Sequence, residues 1–208
     1  MSNHSLDWYK RRRGHITASR FGDVLAKQGT KRRDGYIRDL VYELGTGPSW
    51  EDMVDVAPWY EHGIAGEAEA IGSYEFQTDR TVDDGGFIEH ATLKHIGCSP
   101  DGLVGEDGGC EAKCRASLPQ QLTCERVGMP AGHKPQVQGC LWVTGRQWWD
   151  YLSYYVGDKT KARLHVHRVL PDLEYHARLE AACAEFWAEV QSKLESKPWR
   201  KGDELRFR

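Results

Sequence analysis

The spacing of apolar residues along the chain predicts helices near both ends. Apolar positions three and four residues apart indicate amphipathic helices, and capping residues and glycines mark where each helix begins and stops. The predicted helices are a short one capped by Thr17 or Ser19 and running to Ala26, one capped by Asp34 and stopped by Gly45, one from Pro58 to about Phe76, and three more over 118–127, 135–143 and 172–194.

Between these helices the pattern changes to the short runs that are typical of strands. Strands are predicted over 81–90, 93–97, 102–104, 110–114, 147–156 and 163–170. The third and fourth form a hairpin, with its turn at Glu106, Asp107, Gly108 and Gly109. Helices followed by a central sheet and then by mixed elements predict an α/β or α+β fold. Because no repeat or long linker interrupts the pattern, residues 1–208 are predicted to form a single domain.

The chain has no run of about 18 apolar residues, and its first residues lack the apolar segment of a secretion signal. We therefore expect a soluble, cytoplasmic protein with no membrane partner. The net charge of −3 alone argues against a nucleic-acid binder, but residues 1–40 carry a net +6, residues 41–112 a net −14 and residues 113–208 a net +5. This distribution is typical of phosphate contacts that flank a carboxylate-rich centre, or of solvated surfaces. The basic run Lys31-Arg32-Arg33 has the same two interpretations.

The six cysteines include no CxxC pair, and a chain of this length needs no disulfide framework. We expect reduced and mostly buried thiols. A zinc site formed by Cys110, Cys114 and Cys124 is the alternative, although structural zinc sites usually use more closely paired ligands.

The segment 98–114 contains the clearest candidate chemistry. Glu111 and Lys113 are two residues apart on a predicted strand, so their side chains share one face, and the hairpin returns Asp101 beside them. Two carboxylates at one point can hold Mg²⁺, which prefers oxygen ligands, and a lysine supplies positive charge to a phosphoryl transition state. The set is typical of phosphodiester hydrolysis. The alternative is a surface hairpin with a Glu–Lys salt bridge.

These residues match the PD-(D/E)xK nuclease signature as Pro100-Asp101 followed by Glu111-Ala112-Lys113. Three further blocks resemble the lambda exonuclease and YqaJ-like viral recombinase family. They are, in family order, Trp8, Arg12 and Ile16-Thr17-Ala18-Ser19; Gly63-Ile64-Ala65-Gly66-Glu67; and Gln136-Val137-Gln138 with Leu141-Trp142-Val143-Thr144. The resemblance implies a PD-(D/E)xK restriction-endonuclease-like core, in which helices flank a mixed central sheet.

The resemblance also implies a role for each matched residue. The implied catalytic residues are Lys113, Glu111, Asp101, Gln136 and Glu67, and the implied metal ligands are Asp101, Glu111, Glu67 and Ala112 through its backbone carbonyl. Arg12, Ser19 and Ser99 match a pocket for the 5′-phosphate of a DNA end. Because Lys10, Arg11 and Arg13 adjoin Arg12, a neighbouring basic residue is the alternative for the first position. His133, three residues before Gln136, is interpreted as a surface histidine, with a contact to phosphate as the alternative.

The activity implied by the resemblance is a Mg²⁺-dependent 5′–3′ exonuclease. It degrades one strand of linear double-stranded DNA to 5′-mononucleotides and leaves 3′ overhangs for recombination by single-strand annealing. Two Mg²⁺ ions per site are implied, with Mn²⁺ as a substitute. The implied partners are the DNA, a ring-shaped homotrimer and a single-strand annealing protein, in a bacterial host or phage-infected cell. The alternatives are a structure-selective or restriction-type endonuclease on the same fold, and a catalytically silent protein that binds DNA ends.

Overall fold

The computed structural model describes residues 6–46, 58–157 and 162–196, with the side chains in these ranges except those of residues 6, 46 and 58–65. The helices are α1 (Leu6–Arg12), α2 (Phe21–Val24), α3 (Lys31–Thr46), α4 (Pro58–Thr78), α5 (Leu118–Val127), α6 (Lys134–Thr144) and α7 (Leu173–Glu195). The strands are β1 (Ile16–Thr17), β2 (Val82–Asp83), β3 (Ile88–Glu89), β4 (Ile96–Cys98), β5 (Gly102–Val104), β6 (Gly108–Cys114), β7 (Trp148–Tyr155) and β8 (Arg163–Val169). Single 3-10 turns precede α2 (Ala18–Arg20) and α6 (Ala131–His133).

The strands form two sheets. The larger has the order β2-β5-β6-β7-β8, in which β6 and β7 are parallel and the other neighbours are antiparallel. The smaller has the order β1-β4-β3, with β1 and β4 parallel. The long pairing of β6 with β7 runs from Gly108 opposite Trp148 to Cys114 opposite Tyr154. Mixed sheets flanked by helices confirm the predicted α/β class.

Both faces of β7 are buried, and each face belongs to a different core. Trp149 and Tyr151 point into the main core, which α2, α3, α6 and α7 complete. Leu152 and Tyr154 point to the opposite face and pack with Ala70 and Tyr74 of α4. Burying a large apolar side chain stabilises the fold by about 1.5–3 kcal/mol, so β7 anchors both layers.

One face of α7 completes the main core. Leu179, Cys183, Phe186 and Val190 follow each other at helical spacing and are fully buried. The remaining positions of α7 are largely polar and exposed. None of the helices in the described ranges is long and apolar enough to span a bilayer.

Two predicted helix caps are wrong. Thr17 does occupy the residue before the 3-10 turn, but its side chain makes no capping bond. Its hydroxyl accepts a hydrogen bond from Arg12 instead, and that contact competes with capping. Helix α3 begins at Lys31, so Asp34 lies inside its first turn and donates its N–H to the carbonyl of Thr30 at 2.9 Å.

The strand boundaries in the structure also differ from the predicted ones. The predicted strand over 81–90 is two short strands in different sheets, separated at Gly86, whose positive φ of 55° breaks the extended chain. In the hairpin, Gly105 adopts the left-handed conformation (φ 56°) and forms the turn. Gly108 and Gly109 are therefore strand residues, and a Cβ on either would lie within 2.4 Å of a tryptophan ring of β7.

The basic run at the start of α3 is not wholly solvated. Arg33 is 3% exposed, and its guanidinium pairs with Glu189 of α7 and donates to the carbonyl of Val24. It also lies 4.9 Å from the ring of Phe186. Arg33 therefore joins α3 to α7 inside the protein and is not available to a nucleic-acid backbone.

Gly139 of α6 permits a close helix contact that a substitution can test. A Cβ at Gly139 would lie 2.2 Å from the ring of Phe21, whereas one at Gly72 of α4 would meet nothing within 4 Å. Gly139→Ala is expected to destabilise the protein by about 1–3 kcal/mol through overpacking. Gly72→Ala is the matched control and should stabilise it by about 0.5–1 kcal/mol through helix propensity. Urea unfolding of both variants measures the difference, and equal free energies of unfolding would contradict the close contact.

Candidate active site

The site lies where β5 separates from β6. The two strands pair from Val104 opposite Gly108 to Gly102 opposite Cys110, and β6 then continues beside β7 alone. Asp101, the residue before β5, lies at the edge left open: its Oδ2 accepts a hydrogen bond from the Ala112 N–H at 2.8 Å. The N–H and C=O of one strand residue point to the same side. The Ala112 carbonyl therefore also faces this edge, beside Asp101.

Glu111 and Lys113 lie on the face of β6 that α6 covers. Glu111 is fully buried, and its Oε1 accepts hydrogen bonds from the Lys113 ammonium and from the Gln136 amide, the latter at 2.5 Å. No donor among the described residues reaches the other carboxylate oxygen, Oε2. A buried anionic oxygen without a partner is costly. Glu111 Oε2 is thus an atom that a bound cation would satisfy.

Glu67 approaches the same place from α4. The preceding residue, Gly66, allows the helix to pack closely on β6, since a Cβ there would lie 2.6 Å from Cys114 Sγ. Glu67 is half-buried, and burial followed by repulsion from Glu111 raises its pKa. Glu67 belongs to the motif block Gly63-Ile64-Ala65-Gly66-Glu67. The structure does not describe the side chains of the first three residues of this block.

The carboxyl groups outweigh the positive charge at the site. Burial, and then repulsion from Glu111, raises the pKa of Asp101 well above its usual range, although Lys113 and the Ala112 N–H oppose the shift. Burial alone would lower the pKa of Lys113, but attraction to Glu111 and Asp101 overcomes it and raises that pKa. Lys113 is therefore a permanent cation at neutral pH, and one ammonium faces three carboxyl groups.

The donor set fits a hard cation. In the described ranges, no group of three or more His, Cys, Asp or Glu side chains converges at ligand distance. Mg²⁺ does not need such a cage, because it is usually held by one or two carboxylates and keeps several waters. Asp101, Glu111 and the Ala112 carbonyl offer only oxygen atoms as ligands, and one of these, Glu111 Oε2, has no hydrogen-bond partner among the described residues. The residues thus fit magnesium.

The zinc alternative is wrong. Its three cysteines form no metal-binding group in the described structure. Cys110 packs in the core beside α4, Cys114 is exposed at the end of β6, and Cys124 is buried on α5. All six thiols are free and five are buried, as expected.

The three residues of the predicted phosphate pocket are linked through Trp8. Arg12 Nη2 donates to Ser19 Oγ at 3.2 Å and to Thr17 Oγ1 at 3.3 Å. The Arg12 guanidinium also lies 5.1 Å from the ring of Trp8, whose Nε1 donates to Ser99 Oγ at 2.9 Å. Ser99 precedes Asp101 by two residues, so this cluster adjoins the carboxylates. Hydroxyls and a guanidinium are the groups that bind phosphate.

The basic neighbours of Arg12 point elsewhere. Arg11 Nη2 donates to the carbonyl of Phe87 and Arg13 Nε to that of Glu43, both at 3.0 Å. Helix α1 separates the side chains of Arg11 and Arg12 by about 100°, and Arg13 follows the end of the helix, so only Arg12 reaches Ser19. The register favours Arg12.

Three further side chains, those of His133, Tyr151 and Arg115, lie near Lys113. His133 is half-buried, and its ring lies 5.3 Å from that of Tyr151. Burial, Lys113 and Arg115 lower the pKa of His133 to about 4. His133 is thus a partly exposed histidine next to two cationic side chains. Arg115 was not singled out from the sequence, although the i, i+2, i+4 spacing of Glu111, Lys113 and Arg115 places all three on one face of an extended chain.

The raised pKa of Asp101 predicts a stability gain on neutralising it. A carboxyl group with a raised folded-state pKa destabilises the fold above that pKa, and the penalty vanishes as pH falls below the unfolded value of about 3.8. In a chelator, Asp101→Asn should therefore raise the melting temperature at pH 7–8, by roughly 2–4 °C per kcal/mol relieved, and have little effect near pH 3.5. Glu106→Gln, in the exposed hairpin turn, is the control. A lower melting temperature at pH 8 for Asp101→Asn would contradict the repulsion.

Comparison with known proteins identifies the relatives of this site. The YqaJ-like viral recombinase domain matches residues 7–147. The crystal structure of an alkaline exonuclease from Laribacter hongkongensis is 30% identical, with a TM-score of 0.80 over 92% of this chain and 95% of that one. A phage-related exonuclease from Haemophilus somnus shares the fold at 12% identity, with a TM-score of 0.61 over 86% of this chain and 96% of its own. A search of curated proteins found no match. The chain belongs to the YqaJ-like viral recombinase domain family.

Proposed function

We propose that the protein is an exonuclease that degrades one strand of linear double-stranded DNA from its 5′ end, releasing 5′-mononucleotides and leaving a 3′ overhang. The observation that carries the proposal is the convergence of Asp101, Glu111, Lys113 and Gln136 where β5 leaves β6. A buried carboxylate that shares one oxygen between an ammonium and an amide, and leaves its other oxygen unpartnered, suits phosphodiester hydrolysis better than a structural salt bridge.

The relatives support this class of activity. The alkaline exonuclease from Laribacter hongkongensis aligns over nearly the full length of both chains. A second crystal structure of that exonuclease, whose chain is 29% identical to this one, is a complex with dAMP. A mononucleotide bound to that relative is consistent with the mononucleotide product proposed here. Membership of a viral recombinase family supports a role in recombination.

The metal proposed at the site is Mg²⁺, two ions per active site, for which Mn²⁺ can substitute. Asp101, Glu111 and the Ala112 carbonyl would hold it, and Glu67 would contribute from α4. When bound, Mg²⁺ polarises a phosphoryl oxygen and lowers the pKa of a coordinated water. Burial, and then repulsion from Glu111, raises the pKa of Asp101 and of Glu67, and a bound cation would relieve that repulsion.

The protein's own groups have distinct tasks. Attraction to Glu111 and Asp101 raises the pKa of Lys113, and its ammonium would stabilise negative charge that develops on the phosphoryl group. Gln136 and Lys113 together hold Glu111 Oε1, which fixes the orientation of the other oxygen. The Ala112 N–H holds Asp101 in the same way at 2.8 Å. Each anionic group is thus oriented before substrate arrives, which is the condition for electrostatic catalysis.

Polarity follows from the Arg12, Ser19 and Ser99 pocket. The Arg12 guanidinium and the two serine hydroxyls can donate to the oxygens of a terminal phosphate. A strand held there by its 5′-phosphate would lie with its first phosphodiester near Asp101, because Ser99 is two residues from it in sequence. This arrangement favours cleavage of terminal nucleotides over internal cuts.

The proposal includes two partners from the family resemblance. A ring-shaped homotrimer would enclose the duplex and account for processive digestion, and a single-strand annealing protein would use the 3′ overhang. A cytoplasmic location in a bacterial host or phage-infected cell suits both.

Linear duplex DNA that carries a different label at each end tests the activity and its polarity in one experiment. With Mg²⁺, linear duplex DNA should lose mononucleotides from its 5′ ends, faster when these are phosphorylated, and a closed circle should stay intact. Asp101→Asn should lower the rate at least about 100-fold, because it removes a charged ligand, yet still bind DNA. Cleavage of the circle would instead indicate a restriction-type or structure-selective endonuclease. Bound ends without cleavage in Mg²⁺ or Mn²⁺ would indicate the silent end-binding protein.

The phosphate pocket has its own test, with a control one residue away. Arg12→Gln should reduce the rate ratio between 5′-phosphorylated and 5′-hydroxyl ends towards one, because a charge-assisted contact worth about 1.5–3 kcal/mol is lost. Arg11→Gln should retain the ratio, since Arg11 donates to the Phe87 carbonyl. The measurement is the initial rate on the two substrates. If Arg11→Gln removed the preference and Arg12→Gln retained it, the register of the pocket would be wrong.

A further inference from the structure

Arg115 extends the row of charged side chains on β6. Its N–H donates to the carbonyl of Tyr154 at 2.6 Å, so the pairing with β7 continues one residue past the end of β6 at Cys114. Side chains two residues apart on an extended chain share a face and are separated by about 7 Å. Arg115 therefore lies on the same face as Glu111 and Lys113. Its separation from Lys113 is similar to the spacing between successive phosphates of a nucleic-acid strand.

Neutral groups hold the Arg115 guanidinium. Its Nε donates to Ser153 Oγ at 2.9 Å, and its Nη2 donates to the Tyr151 hydroxyl. Both partners are fully buried residues of β7. Two other arginines of this sheet region, Arg163 and Arg168, pair with the carboxylates of Glu125 and Asp150. No carboxylate in the described part of the chain forms an ion pair with Arg115, so its charge is fixed in place but not neutralised.

The charge of Arg115 is directed towards the active site. Burial is the main reason that the pKa of His133 falls, and the next two causes are the charges of Lys113 and Arg115. His133 lies at the end of the 3-10 turn that leads into α6, three residues before Gln136. Lys113 and Arg115 therefore act on one point, beside the amide that orients Glu111.

We propose that Arg115 binds a backbone phosphate of the substrate strand next to the phosphate that is cleaved. The inference rests on the proposed function, because the contact requires a nucleic-acid strand across Lys113. Arginine presents its donors as a planar fork that matches phosphate oxygens, and Ser153 and Tyr151 hold that fork in a fixed orientation. Such a contact positions the strand and carries no sequence information.

A purely structural role predicts different behaviour. In that case Arg115 would only bridge Ser153 and Tyr151, and removing the Tyr151 hydroxyl would have the same effect on DNA binding as removing the guanidinium. A phosphate contact instead depends on the charge. It releases counterions when DNA binds, so its loss lowers the salt dependence of binding by about one unit of slope in a plot of log K against log salt.

The test measures duplex binding across a series of KCl concentrations. All proteins carry Asp101→Asn, so that the DNA is not cut, and the probe is a 5′-phosphorylated linear duplex. Arg115→Gln should weaken binding about tenfold irrespective of DNA sequence and reduce the slope by about one. Arg115→Lys, which keeps the charge, should retain the slope. Arg163→Gln is the control for the same change in net charge, and Tyr151→Phe is the control for the bridge; both should retain the slope.

The outcomes separate this inference from the proposed function. An unchanged slope in Arg115→Gln, or an equal loss in Tyr151→Phe, would overturn the phosphate contact even if the wild-type protein degrades DNA. Absence of cleavage by the wild type, with a slope that still depends on Arg115, would overturn the exonuclease and retain the contact. Should Arg115→Gln fail to fold, a slope lost in the folded Arg115→Lys variant would also contradict the inference, because the charge remains there.

Discussion

The hydrogen bond from the Ala112 N–H to Asp101 is the interaction on which the site depends. Strand β6 loses its β5 neighbour after Cys110, so the backbone of Ala112 would otherwise face an open edge. Buried and edge backbone groups need partners, and here the partner is a carboxylate and not another strand. One bond thereby satisfies the edge, positions an anion beside Glu111 and leaves the neighbouring carbonyl directed to the same point. The candidate site therefore lies at the position where the pairing between β5 and β6 ends.

This arrangement of carboxyl groups is electrostatically unfavourable. Glu111 is fully buried, and a buried charge is tolerated only when it is paired and hydrogen-bonded, as Lys113 and Gln136 provide. Asp101 and Glu67 place two further carboxyl groups beside a single ammonium, and burial, followed by repulsion from Glu111, raises the pKa of each. The remainder of the sheet supplies the compensating stability, because β7 is buried on both faces between two cores. A site short of positive charge, on a firmly packed strand, is suited to a cation and to a phosphate-bearing substrate.

Short-range patterns predicted the elements that form this site, and long-range contacts decided those that were missed. The two-residue spacing of Glu111 and Lys113 placed them on one face, and the hairpin pattern placed Asp101 beside them, because both depend only on strand geometry. The order of the motif blocks located Gln136 and Arg12 through family resemblance. By contrast, the burial of Arg33 depends on Glu189, 156 residues away, and no local pattern contains that contact. The failure of Thr17 as a cap has a local origin instead, since Arg12, five residues earlier, engages its hydroxyl.

A further constraint is that the proposed binding of DNA, a polyanion, has to be compatible with a net charge of −3. The arginines in the described ranges differ in the groups that hold them. Those paired with carboxylates, such as Arg33, Arg163 and Arg168, hold elements of the fold together and contribute little field outside it. Arg12 and Arg115 are held by hydroxyls, which fix the direction of the guanidinium without cancelling its charge. Arg12 and Arg115, one from each basic segment of the chain, thus bring positive charge near the carboxylate centre. Local anchoring chemistry, and not net charge, determines where phosphates can bind.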